Sequence, residues 1–194
     1  MAAPAPEALA VLAFWFDPAN KENWFATNRD FDAAIRDRFA PTLQLAIEGK
    51  LNDWAGDPQG WLALLIVLDQ FPRNLYRRDP RAWAQDLPAQ QLALWGIEEG
   101  FDRRLSPTER VFAYMPLEHA EDIRLQRRCV ALLQTLCDEL PVQERHRYTD
   151  FLDYARRHET VIARFGRFPH RNAVLGRTNT SEEQRYLDQP GAGF

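Results

Sequence analysis

The stretch Trp61–Leu68, WLALLIVL, is apolar on every side of a helix. A helix without a polar face is stable only when neighbours surround it, so this segment belongs at the centre of a helical assembly. A short apolar run also fits a buried strand, but its frame favours helix. Asp57-Pro58 supplies an N-cap and a proline at the first helical position, and the expected helix runs Pro58–Phe71. With 194 residues, 45% of them hydrophobic and 12% aromatic, the chain can bury a core as one domain over residues 1–194, with a loose tail at 189–194.

The remaining punctuation is helical too. Glu7–Phe16 carries Leu9, Leu12, Ala13 and Phe16 at helical spacing, and Asp30 is the expected N-cap of Phe31–Glu48, which Pro41 kinks or splits. Asp79-Pro80 opens a helix to about Glu99, kinked or broken at Pro88. Ser106-Pro107-Thr108-Glu109 is a capping box, and Pro116 starts the long helix Leu117–Leu140. Pro141 to about Phe165 follows, with Phe151, Tyr154, Val161 and Phe165 inward. Thr180-Ser181-Glu182-Glu183 is a second capping box, for a short helix through Leu187. No segment sustains strand alternation, so the expected fold is all-α, a compact array of seven to nine antiparallel helices.

Composition excludes several functions. Residues 1–100 hold 9 basic and 14 acidic side chains, while 145–185 hold 9 arginines against 5 acids, so the C-terminal third is the part that attracts anions. An acidic chain with interleaved arginines lacks the basic stripe that nucleic acid requires. Cys129 and Cys137 lie eight residues apart in one helix, roughly 12 Å along its axis, too far for a disulfide. No Cys/His spacing matches a zinc motif, and phosphate-loop, GxSxG and HExxH signatures are missing, so no metal or cofactor is expected. A basic leader and a membrane-length apolar run are missing as well, which makes a soluble, cytoplasmic protein the expectation.

The chemistry concentrates at Arg164–Arg177, RFGRFPHRNAVLGR, with four arginines, His170 and Asn172 in fourteen residues. Gly166 and Pro169 end the preceding helix there. Leu68–Arg77, LDQFPRNLYR, echoes the Phe-Pro-basic-Asn order and reads as a second helix-ending corner. Glu118, His119, Glu121 and Asp122 fall in the first turns of the helix after Pro116, where the macrodipole favours acids but like charges repel, so cations are needed nearby. Arg167, His170 and Arg171 are the expected suppliers, with Asp69, Arg73 and Asn74 closing a third side and Asn172 adjoining. Two readings follow. In one the cluster is an internal salt-bridge lattice. In the other it is a pocket in which Arg73, Arg167 and Arg171 bind a small anionic ligand, and His119 or His170, tuned by Glu118 and Asp122, acts as acid or base. Hydrolysis of a small anionic compound fits that second set. His146 and His158 read as solvated, on a charged helical face.

The segments LDQFPRNLYR, ERVFAYMPLEHAED at Glu109–Asp122 and RFGRFPHRNAVLGR, in that order over nearly the whole chain, resemble the bacterial and fungal family known as domain of unknown function 924. The resemblance implies a helical fold similar to tetratricopeptide-repeat proteins and implies no particular activity. A tetratricopeptide-like fold also admits an adaptor that binds a protein partner in a groove of arginines and aromatics.

Overall fold

Side-chain caps set the starts of α-helices at Arg29, Pro58, Pro107, Ile123 and Ser181, and one proline shapes the central helix. The computed structural model describes residues 3–193, and no strand occurs among them. Nine α-helices are present among those residues: α1 (Pro6–Trp15), α2 (Arg29–Ile47), α3 (Pro58–Leu65), α4 (Phe71–Leu75), α5 (Asp86–Glu98), α6 (Pro107–Glu118), α7 (Ile123–Glu139), α8 (Val142–Phe165) and α9 (Ser181–Leu187). The chain divides into two compact units. The first takes the chain to Arg77 together with Arg81–Pro116, and the second takes Arg78–Pro80 and the chain from Leu117 onward.

In the first unit α3 packs against α1 and α5, and seven of its eight residues are buried, as an all-apolar helix demands. Asp57 caps it, its side chain accepting from the N–H groups of Gln59 and Gly60. The segment expected as one helix to Phe71 instead passes through a π-helical turn, Ile66–Gln70, and continues as α4. Phe71 N–H reaches back five residues to Ile66 O, and the wider turn leaves room for the ring of Pro72, so Phe71-Pro72 does not end the helix. Around it Trp15, Phe31, Phe39, Phe71 and Phe112 form a ring network, with Trp15 centred 5.7–5.9 Å from Phe31, Phe71 and Phe112.

Three expected boundaries move. Asn28, not Asp30, caps α2, its side-chain oxygen accepting from the N–H groups of Asp30 and Phe31, and the helix runs unbroken through Pro41. Asn28→Ala is expected to cost about 1 kcal/mol, measured by urea denaturation, whereas Asp30→Ala should leave stability within about 0.5 kcal/mol. Pro80–Ala82 makes only a 3-10 turn and α5 begins at Asp86, which puts Pro88 in a first turn that needs no N–H from it.

The third change matters most for chemistry. Pro116 lies inside α6, which ends at Glu118, and α7 starts only after the N-cap Asp122. Glu118 therefore closes a helix, while His119 and Glu121 occupy the connecting turn, so the dipole argument for acids at a helix start holds for Asp122 alone. In the second unit α7 and α8 pack on each other, Gly166 ends α8 at φ +70°, and the Thr180–Glu183 capping box opens α9.

Candidate functional site

The turn after α6 and the loop after α8 meet in the second unit. Gln126, fully buried on α7, donates its amide to the carbonyls of Glu118 and Ala120 and so holds the turn in shape. Phe168 N–H donates to Glu121 Oε1 at 2.8 Å, and Arg177 grips the same carboxylate with both terminal nitrogens at 2.6 and 2.9 Å. Burial pushes the Glu121 carboxyl up, but the bonds from Arg177 and Phe168 win and hold it below its ordinary value. Asn172, fully buried, orients the pair by accepting from Arg177 Nε at 2.8 Å and donating to Asn179 at 2.8 Å.

Inside this brace lies a histidine-rich corner. His158 Nδ1 sits 3.0 Å from Tyr154 O and 3.5 Å from Glu118 Oε1. A carbonyl only accepts, so Nδ1 carries the proton and Nε2 is the basic nitrogen. The rings of His119 and His158 are 6.5 Å apart, and Phe168, with no exposed surface, separates His158 at 5.5 Å from His170 at 5.6 Å. Arg171 is buried, its guanidinium 4.4 Å above the Phe168 ring and donating to His119 O at 3.1 Å. Burial, with Arg171 adding to it, draws His158 down to about 3 and His170 down to about 4, so both are neutral at physiological pH.

Glu118, His119, Glu121, His170 and Arg171 thus lie together, as their residue types invited. Arg167 does not join them. It is bidentate to Glu183 at 2.6 and 2.9 Å, and that bond holds the Glu183 carboxyl at about 2. Asp122 faces Arg124, accepting from its backbone N–H and its guanidinium. Asp69, Arg73 and Asn74 belong to the first unit, where Arg73 bridges Asp69 at 3.2 Å and Asp86 at 2.9 Å. Asn74 donates there to Asp32, which Arg77 also grips.

His158 is the residue that sequence reasoning placed wrongly, on a solvated face. It is 4% exposed, because it falls in the buried stripe Leu152, Ala155, His158, Val161, Ile162, whose helical spacing is legible in the sequence. Tyr154, expected inward, is 41% exposed. Cys129 and Cys137 are free thiols, and burial pushes Cys129 well above its ordinary value. Among the described residues no group of three or more His, Cys, Asp and Glu is placed to hold a metal ion, and no helix is long and apolar enough to cross a membrane.

Comparison with known proteins agrees with this helical scaffold. The solved structure of a protein of unknown function from Agrobacterium tumefaciens is similar, with 37% identity, a TM-score of 0.83, and coverage of 93% of this chain and 96% of that one. No curated protein matches the chain. The family described as bacterial protein of unknown function, DUF924, matches residues 11–191, and the chain belongs to that family.

Proposed function

We propose that the second unit binds a small anionic molecule, bearing phosphate or carboxylate, at the corner formed by His119, His158, His170 and Arg171. The observation that supports this is the convergence of one buried guanidinium and two imidazoles on Phe168, with His119 beside His158; of the two acids here, Glu121 is committed to Arg177 and Glu118 lies 3.5 Å from His158 Nδ1. A fixed cation and imidazole N–H groups with little surrounding water suit an oxyanion. His158, protonated on Nδ1, leaves Nε2 as an acceptor, and an anion bound beside it would raise its low pKa toward the range a general base needs.

An anion beside a neutral imidazole raises its pKa, so binding takes up protons and strengthens as pH falls from about 7.5 toward 6. Inorganic phosphate and succinate are the probes, followed by the histidine ring signals in NMR. His119, His158 and His170 should move on titration while the exposed His146 stays put. Arg171→Gln is expected to weaken binding by at least about tenfold. Arg171→Lys, which keeps the charge, covers the case of a glutamine variant that does not fold. If only His146 responds, or if affinity rises with pH, the corner is a structural lattice.

A further inference from the structure

The first unit carries a cavity of about 300 Å³, lined by Phe16, Pro18, Lys21, Trp24, Ser106, Thr108 and Glu109. Its walls are built rigidly. The Trp24 indole N–H donates to Trp15 O at 2.8 Å, and the ring meets Phe112 at 4.8 Å and Phe16 at 5.9 Å, edge to face. The start of α6 also lines the cavity, pinned by the capping box in which Ser106 N–H donates to Glu109 Oε2 at 2.8 Å and Glu109 N–H to Ser106 Oγ. Lys21 and Pro18, both exposed, stand at the opening.

Two opposite charges line this cavity without pairing with each other. Among the described residues Lys21 has no carboxylate within ion-pair distance, and its ammonium makes no hydrogen bond. The Glu109 carboxylate accepts from the Ser106 N–H and, at 3.5 Å, from Gln59, neither of which neutralises it. A space of about 300 Å³ is of the size that takes a small molecule. We propose that this cavity binds a free α-amino acid with an aromatic or branched side chain: carboxylate on Lys21, ammonium on Glu109, apolar body against Phe16 and Trp24.

The experiment uses the full chain and L-phenylalanine, read by calorimetry and by tryptophan emission, since Trp24 lies in the cavity wall. Phenylalanine should bind saturably. Phenethylamine, lacking the carboxylate, and 3-phenylpropanoate, lacking the amine, should each bind at least about tenfold more weakly. Lys21→Met keeps the apolar stem and should remove the preference for phenylalanine over phenethylamine. Glu109→Gln preserves the capping box, in which glutamine also serves, and should remove the preference over 3-phenylpropanoate. No heat and no emission change with phenylalanine, equal affinity for all three compounds, or unchanged preferences in both variants would overturn the proposal. All four histidines lie beyond residue 117 and all six tryptophans before it, so this outcome reads separately from the anion titration in the second unit.

Discussion

Gly96→Ala is expected to destabilise the protein by about 2 kcal/mol, although alanine is the better helix former. Gly96 is buried on α5, and a Cβ added there overlaps Cε2, Nε1 and Cζ2 of Trp61. That indole cannot step aside: it has no exposed surface and its N–H donates to Leu92 O at 2.8 Å. Overpacking of this kind costs up to about 3 kcal/mol, and the gain of about 1 kcal/mol from replacing glycine in a helix offsets only part of it. The melting temperature should fall by about 4–8 °C. Trp61→Phe removes the part of the ring that the methyl group strikes. In that background Gly96→Ala should be neutral or stabilising, a coupling visible in a double-mutant cycle. Equal destabilisation in both backgrounds would show that α5 does not approach α3 through this glycine.

Acid should unfold the second unit between about pH 4 and 5.5. His158 and His170 are buried neutral, with values of about 3 and about 4 against an ordinary 6.5, so the unfolded chain binds protons at pH values where the folded chain does not. Their contribution is intact above pH 6.5 and is lost as pH falls toward the folded values. The carboxyls of Glu121 and Glu183 are held low by Arg177 and Arg167, and their stabilisation is likewise lost in acid, below about pH 4.5, so the two effects add. The histidines together account for on the order of 5 kcal/mol between pH 7 and 4, comparable with the whole stability of many domains. Histidine ring signals in NMR follow the second unit, while tryptophan emission follows the first. His158→Phe is expected to flatten the pH dependence of the second unit's unfolding. A variant with an unchanged slope would mean that His158 is already protonated in the folded state.

Much of the helical plan was legible because capping is local chemistry. The serine and threonine capping boxes, the Asp57-Pro58 start and the glycine at 166 each act within four residues, and each is where the sequence placed it. Proline was harder to read. Pro41 and Pro116 sit inside helices that expectation kinked, split or started there, because packing can compensate for a missing N–H, whereas Pro88 falls in the first turn of α5, where no N–H is needed. The shift of the helix start from Pro116 to Asp122 changed the site most, since it moved His119 and Glu121 off a helical face and into a turn.

By itself the sequence determined the all-helical class, the central place of Trp61–Leu68 and the family, because these depend on periodicity, caps and short motifs. Tertiary structure alone decided which arginine meets which acid. Arg177 rather than Arg167 holds Glu121, Arg73 bridges Asp69 to Asp86, and His158 turns inward beside Glu118. Charge complementarity is nearly the same for every Arg–carboxylate choice, whereas geometry and burial are not. The partner that can be reached and desolvated together is selected only once the helices have packed.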